Sequence, residues 1–229
     1  MNKHKGKLIV IEGTDCSGKE TQSNFLVENL NKIGIKTEKY CFPRYNSPTG
    51  KIIAGAYLGK PEYGEGYFTE GASNVDPLVA SLYFSADRKY NIKDIITKLD
   101  SGINVVVDRY VDSNLAHQGA KIKDVKQRKK FVKTLQILEY KLLELPKPDI
   151  TVFLYMPFTC ANILKTNRKE KPDQHESDDE YLQNSEKMYL YLAKKNRYIK
   201  IDCSKEKLPK SIQQIQQEIL NKITKFLKN

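Results

Sequence analysis

The chain has 229 residues, of which 39% are hydrophobic and 29% are charged. This composition is close to that of soluble globular proteins, so it excludes a disordered chain, a collagen-like chain and a coiled-coil array. The length predicts a single domain, residues 1–229, and the longest apolar run, 152–158, is too short to cross a membrane. The four cysteines stand singly, without a CxxC pair, which predicts a reducing, cytoplasmic compartment and no zinc or redox site.

The net charge is +11, which favours anionic partners. The chain has 33 lysines, which are dispersed, and no long basic tail or basic patch interleaved with aromatic residues. We therefore expect a solvated lysine surface and no nucleic-acid partner. An arginine fork binds phosphates and base edges with fixed geometry, so the few arginines are the informative cations. They are Arg44, Arg88, Arg109, Arg128, Arg168 and Arg197.

Apolar runs alternate with helical spacings along the chain. Buried strands are predicted at residues 7–12, 36–42, 104–108, 151–156 and 198–202. Helices are predicted at residues 19–32, 49–58, 77–99, 125–145, 157–167, 180–195 and from 208 to the end. In the fourth of these, the apolar face comprises Phe131, Leu135, Leu138, Leu142 and Leu145. Residues 59–77 predict a long loop, and the polar residues at about 165–179 predict a lid segment.

This alternation, together with a phosphate-binding pattern after the first strand, predicts an α/β protein with a P-loop three-layer fold. A central parallel sheet of about five strands would be covered by helices on both faces, because strands that are apolar throughout must be buried on both faces. Such sheets bind ligands at the carboxyl ends of their strands. The functional residues are therefore expected after Glu12, Phe42, Asp108 and Met156.

The segment after the first strand matches the phosphate-binding pattern G-x-x-x-x-G-K. It reads Gly13-Thr14-Asp15-Cys16-Ser17-Gly18-Lys19-Glu20-Thr21. Its glycines let backbone N–H groups surround phosphates at a helix N-terminus, and Lys19 reaches the outer phosphates. We therefore predict that Gly13 and residues 15–21 bind nucleotide phosphates and that Lys19 is catalytic. Cys16 is either a reactive thiol or a small space-filling residue.

Glu20 stands where a serine or threonine normally contacts Mg²⁺. Either its carboxylate meets the metal, directly or through water, or Thr21 substitutes for it. Asp108 ends the third strand, in the place of the aspartate that holds Mg²⁺ in P-loop proteins. Arg109 beside it is placed to bridge transferring phosphates. The sequence thus predicts a Mg²⁺ site at Asp108 with Glu20 or Thr21.

Further motifs resemble the thymidylate kinase family. They are Phe42-Pro43-Arg44, Phe84-Ser85-Ala86-Asp87-Arg88, the segment DRYVDSNLAHQGA at residues 108–120, and Pro146-Lys147-Pro148-Asp149. With the phosphate loop, the resemblance runs from Lys7 to about Ala193. It implies transfer of the γ-phosphoryl group of ATP to dTMP, with Mg²⁺, by a homodimer that supplies dTDP for dTTP synthesis. Another nucleoside or nucleotide kinase, and a P-loop ATPase that binds nucleic acid, remain alternatives.

The resemblance also implies roles for individual residues. Arg44 and Arg109 would hold the acceptor phosphate, and Asp15 would bind the deoxyribose hydroxyl. In the base site the residues implied are Phe84 for stacking, Arg88 for the carbonyl edge, and Ser113 and Gln118 for the remaining edge. The 2′ position of the sugar would be crowded by Tyr110, and Phe42 would belong to the same site. An aromatic residue four positions before an arginine lies on the same helical face, which suits stacking and edge recognition together.

Family members place a catalytic arginine either in the phosphate loop or in the lid. Cys16 occupies the loop here, so Arg168, flanked by Lys165, Lys169 and Lys171, is the candidate lid cation. The sequence departs from the family at His117, where Tyr or Phe is usual, and at Gln174, where arginine is usual.

Overall fold

Five parallel strands form the central sheet of the computed structural model, which describes residues 5–166 and 178–228. They are β1 Leu8–Gly13, β2 Thr37–Cys41, β3 Asn104–Asp108, β4 Ile150–Tyr155 and β5 Ile199–Asp202. Their order is β2-β3-β1-β4-β5, and every neighbouring pair is parallel. The predicted parallel sheet of about five strands is confirmed.

Helices cover both faces of this sheet. They are α1 Lys19–Lys32, α2 Pro48–Ile52, α3 Pro77–Asp100, α4 Val111–Ala120, α5 Val125–Ile137, α6 Phe158–Thr166, α7 Asp179–Asn196 and α8 Ile212–Lys228. Successive residues of a strand point to opposite faces. Leu8 and Val10 therefore enter the core under α3, α4 and α7, whereas Ile9 and Ile11 enter the core under α1 and α8.

The last helix and helix α4 differ from the sequence prediction. The last helix begins at Ile212 rather than at residue 208, because a hairpin of β6 Ser204–Lys205 and β7 Leu208–Pro209 precedes it. Helix α4 was not predicted. Nine of its ten residues are buried, and His117 is the exception. A helix that is covered on all sides does not show the separate apolar and polar faces by which an amphipathic helix is predicted from sequence.

The helix predicted at 125–145 contains a change of register. Helix α5 ends at Ile137 and continues into a π-helical turn at residues 138–142. The wider turn rotates the residues that follow it relative to an α-helix. As a result Leu142, predicted on the apolar face, is 70% exposed. Glu139, one helical turn after Leu135, is fully buried.

Residues 59–77 form the predicted loop, which packs on its own small cluster. A second π-helical turn, residues 53–57, follows α2 and places Tyr57 beside Ala72 and Val75 of the loop. Lys121 fastens the loop by donating to the carbonyl oxygens of Ala72 at 2.7 Å and Val75 at 3.0 Å. None of the helices in the described ranges has the length and apolar character needed to cross a membrane.

Candidate active site

The phosphate loop joins the end of β1 to the start of α1. Cys16 and Gly18 have φ angles of 55° and 76°, so the backbone curls at both positions. A Cβ at Gly13 would lie 2.4 Å from the Ser17 Oγ and 2.7 Å from the Leu154 carbonyl oxygen. Only glycine fits there. The loop therefore has the curled form, leading into a helix N-terminus, that phosphate binding requires.

Lys19 lies at the base of this loop. Its Nζ donates to two loop carbonyl oxygens at 3.1 and 2.8 Å, and its side chain is buried. Burial and the charge of Arg109 lower the pKa of Lys19 to about 8, against the opposing charges of Asp15 and Asp108. Lys19 is therefore mainly protonated at neutral pH.

A cavity opens beside the phosphate loop at the carboxyl ends of β2 and β3. Its empty space, including open solvent at the mouth, is about 680 Å³. Its walls come from the phosphate loop, α3, α4 and the segments after β2 and β3. The lining residues are Asp15, Phe42, Pro43, Tyr45, Leu58, Phe84, Arg88, Arg109, Tyr110, Ser113, Asn114, His117 and Gln118. They include every predicted acceptor-site residue except Arg44.

Aromatic and amide groups meet around Phe84. The Phe84 ring packs edge-on against Tyr57, with 5.5 Å between centroids. Asn114 and Gln118 lie one turn apart on α4 and are buried. Within the described residues, the Gln118 amide and the Asn114 Oδ1 have no hydrogen-bond partner. Buried polar atoms without partners are costly, so this part of the cavity suits a flat ligand that both donates and accepts hydrogen bonds.

Arg109 and Asp15 face each other where the cavity meets the phosphate loop. One Arg109 nitrogen is 3.4 Å from Asp15 Oδ1, and another is 3.4 Å from His117 Nε2. Burial disfavours ionised Asp15, but the charges of His117, Lys19 and Arg109 together lower its pKa to about 2. Arg109 has a φ of 62°, an uncommon conformation that marks functional sites when the surroundings enforce it. A fixed cation and a fixed anion thus stand side by side here.

Glu12 organises the start of α4 and was missed by the sequence analysis as a functional residue. Its carboxylate is fully buried and accepts from the backbone N–H groups of Tyr110 at 2.8 Å and Ser113 at 3.0 Å, and from the Ser113 hydroxyl at 2.6 Å. Burial raises its pKa. A single acid inside an otherwise apolar strand was the signal in the sequence. Because Ser113 Oγ already donates to Glu12 and lies 3.0 Å from the Tyr189 hydroxyl, its contact with a base edge requires a third hydrogen bond at the same hydroxyl.

Tyr110 and His117 both line the cavity. The Tyr110 ring is fully buried, and its hydroxyl donates to the Pro146 carbonyl oxygen at 3.1 Å. His117 is the partly exposed residue of α4. Its Nδ1 lies 3.1 Å from the Tyr181 hydroxyl, and its ring stacks on Tyr181 with 5.9 Å between centroids.

Arg44 is the one predicted acceptor-site residue outside the cavity lining. Its backbone N–H donates to Asp87 at 2.9 Å, so the segment after β2 is tied to α3. Its guanidinium pairs with Asp94 at 3.1 Å and lies over the Tyr40 ring. The side chains of Arg44 and Asp94 are both exposed to solvent, and ion pairs between exposed side chains are weak. The side chain is therefore free to exchange Asp94 for a ligand phosphate.

Asp108 offers a carboxylate to a metal at the end of β3. It is buried, and its Oδ1 has no hydrogen-bond partner among the described residues. Burial raises its pKa, and the nearby Glu20 carboxylate adds to the rise, whereas Arg109 and Lys19 oppose it. The described ranges contain no cluster of three or more His, Cys, Asp or Glu side chains suited to a metal. This donor set fits Mg²⁺, which takes most of its ligands from phosphates and water.

The lid prediction falls mostly on residues 167–177. Arg168, Lys169, Lys171 and Gln174 lie outside the described residues. Lys165, near the end of α6, lines a small cleft together with Thr14 and Asp15 of the phosphate loop. The C-terminal end of α6 therefore lies beside the phosphate loop.

Comparisons with known proteins agree with this site. The thymidylate kinase family model matches residues 11–219. The thymidylate kinase of Homo sapiens is 36% identical over 161 residues, which is 70% of this chain and 66% of that protein. The probable thymidylate kinase of Methanocaldococcus jannaschii is 32% identical over 221 residues, 96% of this chain and 95% of that protein.

Among solved structures, the thymidylate kinase of Candida albicans has a TM-score of 0.73 and 26% identity, covering 96% of this chain and 92% of that one. The family match and the similarity in fold both extend over nearly all of the chain. The P-loop, the sheet order and the cavity between α3 and α4 therefore have a single explanation: the chain belongs to the thymidylate kinase family and is a nucleoside monophosphate kinase.

Proposed function

We propose that this protein transfers the γ-phosphoryl group of ATP to dTMP, giving dTDP and ADP for dTTP synthesis. The observation that carries the proposal is the juxtaposition of two sites. A phosphate loop with a buried lysine adjoins a cavity that combines an aromatic ring, an arginine and amide atoms that have no partner among the described residues. One site fits a polyphosphate donor, and the other fits a pyrimidine monophosphate.

The donor ATP would bind along the phosphate loop. Gly13 and residues 15–21 would surround its phosphates with backbone N–H groups, and Lys19 would contact the outer phosphates. Catalysis would consist of positioning and charge stabilisation, because phosphoryl transfer needs little covalent chemistry from the protein. Lys19 and Arg109 are the cations whose positions favour this role.

Asp108, with Glu20 or Thr21, would hold Mg²⁺. Bound there, the metal would neutralise charge on the phosphates. Arg168 remains the candidate lid cation that would approach the transferring group from the donor side.

The acceptor dTMP would occupy the cavity. Phe84 would stack on the thymine, and Arg88 would donate to its carbonyl edge. Gln118 and Ser113 would contact the remaining edge, and Asn114 joins them because its unpaired Oδ1 suits the N3–H donor of thymine.

The sugar and phosphate would lie nearer the phosphate loop. Asp15 would accept from the deoxyribose hydroxyl, while Arg109 and a reoriented Arg44 would hold the phosphate. Phe42 and Tyr110 would pack under the sugar, and His117 would share the crowding of the 2′ position with Tyr110.

We further propose a cytoplasmic homodimer. The compartment is supported by four cysteines that are all free thiols. The dimer is supported by a solvent-exposed apolar stripe on α3, formed by Leu78, Val79, Leu82 and Tyr90, each at least 41% exposed. Exposed apolar stripes of this kind are typical of interfaces.

A coupled assay of ADP release tests the reaction. The purified protein would be given ATP and Mg²⁺ with dTMP, dUMP, dCMP, dGMP, AMP or no acceptor. Turnover with dTMP far above the other acceptors is expected. A preference for another acceptor would make the protein a different nucleotide kinase, and hydrolysis that needs no acceptor but responds to DNA would favour the nucleic-acid-binding ATPase.

A further inference from the structure

Glu139 is a buried carboxylate that has no role in the reaction proposed above. It lies in the π-helical turn at residues 138–142 and is fully buried. Burying a carboxylate is costly unless it is paired and hydrogen-bonded. Glu139 continues the side of α5 that buries Val132 and Leu135, so its carboxylate faces into the protein. An acid therefore occupies a buried position on the apolar side of this helix.

The partners of Glu139 all come from the two helices that form the base site. Arg88 donates to it through Nε at 3.0 Å and through Nη2 in a second, very short contact. Ser85 Oγ donates at 2.7 Å, and Asn114 Nδ2 lies 3.4 Å away. Glu139 therefore holds α3 and α4 together at the residues that line the cavity.

The first consequence is a fixed Arg88 fork. Two nitrogens of the guanidinium are committed to the Glu139 carboxylate, and such bidentate pairs define the plane of the fork. Nη1 has a long contact of 3.5 Å with the Tyr110 carbonyl oxygen. Arg88 is 2% exposed yet lines the cavity, so part of the fork remains for a ligand in a set orientation.

The second consequence is a fixed orientation of the Asn114 amide. Its Nδ2 faces the Ser81 carbonyl oxygen at 3.2 Å as well as Glu139. Both of these groups are acceptors, so the NH₂ group must point at them and the Oδ1 must point away. This is the oxygen that is buried without a partner. Glu139 thus presents a donor, Arg88, and an acceptor, Asn114 Oδ1, to the same cavity.

We propose that Glu139 is a positioning residue that sets the acceptor selectivity of this enzyme. A donor next to an acceptor matches a pyrimidine with a 4-oxo group and an N3–H, as in thymine and uracil. Cytosine has the opposite pattern, an amino group and a bare N3, so it leaves both protein groups unsatisfied. The inference rests on the proposed binding of dTMP in this cavity.

The test compares kinetic constants for dTMP, dCMP and ATP in wild type and Glu139→Gln. Glutamine keeps the shape but replaces one acceptor oxygen with an NH₂ group that conflicts with the Arg88 and Asn114 donors. We expect the ratio of kcat/KM for dTMP over dCMP to fall by about tenfold or more, with the KM for ATP changed less than about twofold. The melting temperature would be measured alongside, because a purely structural role would lower stability and leave the ratio unchanged.

Two further variants make the outcome specific. Arg88→Lys keeps a charge beside Glu139 and loses the fork, so adding Glu139→Gln to it should change the ratio much less than in the wild-type background. Glu186→Gln removes another hydrogen-bonded carboxylate, which accepts from Tyr155 at 2.8 Å and Phe158 at 2.9 Å, and should leave the ratio unchanged. A ratio unaffected by Glu139→Gln in an active enzyme would overturn the inference. A wild type that is inactive with dTMP would instead overturn the proposed function.

Discussion

Lys19 and Arg88 are both buried cations, but they serve different substrates in the proposed reaction. Lys19 belongs to the phosphate loop and Arg88 to the acceptor cavity. Lys19→Ala should lower kcat by about 10²-fold or more, because a charge aimed at the transferring group is lost.

Arg88→Lys should raise the KM for dTMP with ATP binding intact, because the guanidinium fork in the acceptor cavity is lost. Steady-state kinetics and ATP titration check both variants, and an equal loss of ATP affinity in the two would contradict the assignment.

Asp112 makes stability depend on pH. Its carboxyl is buried near the start of α4, and burial, followed by the charge of Glu12, raises its pKa to about 7. In the unfolded chain the pKa is about 3.9. The folded state therefore holds a proton that the unfolded state has lost, so the contribution of Asp112 to stability is present below about pH 4 and is lost as pH rises towards 7.

Asp112→Asn removes this titration. Between pH 5 and pH 8 the free energy of unfolding of wild type should fall relative to that of the variant by up to about 3 kcal/mol. Urea unfolding at both pH values measures the difference. Asp202→Asn is the control, because Asp202 is exposed and pairs with nearby Lys200. Parallel pH profiles for wild type and Asp112→Asn would refute the assignment.

At the scale of elements, α4 carries most of the acceptor site. Its N-terminus is fixed by Glu12, its middle contributes Ser113 and Asn114, and its buried face packs on α7. Gly119 permits that packing, since a Cβ there would lie 3.1 Å from Met188. The site therefore depends on the position of one short helix. Lys121, the residue that follows α4, is hydrogen-bonded to the loop at 59–77.

Lys121 makes that tie, and its loss should loosen the loop. Lys121→Met removes the hydrogen bonds to Ala72 and Val75 and leaves their carbonyl oxygens without this donor. Amide hydrogen exchange in residues 59–77 should become about tenfold faster or more, while exchange in β1 stays unchanged. Lys123→Met, at an exposed position nearby, is the matched control. Unchanged exchange in the loop would show that Lys121 does not fasten it.

At the scale of the whole molecule, the apolar stripe of α3 defines the proposed dimer. Leu82 lies within this stripe and is 49% exposed. Leu82→Lys places a charge in the centre of the interface and should weaken the dimer by about tenfold or more. Sedimentation equilibrium measures the dissociation constant. Leu142→Lys, on another exposed surface, should leave it unchanged, and a wild type that is monomeric at micromolar concentration would remove the proposal.

The sequence by itself determined the layered α/β fold and most of the candidate site. Apolar strands without alternation allow only a sheet buried on both faces, and the phosphate loop must follow the first of them. The motifs around Phe84, Arg88 and Arg109 were readable because their spacing along a helix or after a strand is local. The five-stranded parallel sheet and the family membership confirmed these expectations, whereas the order of the strands was not predicted.

The tertiary structure alone decided which distant residues support that site. Glu139 follows buried Leu135 by one helical turn, but its partner Arg88 is 51 positions away, so only the packing of the helices brings the pair together. The orientation of the Asn114 amide depends on acceptors from α3 and from the segment after α5. Hydrogen bonds between elements depend on how the elements pack, and a pattern read along one element at a time does not contain that information.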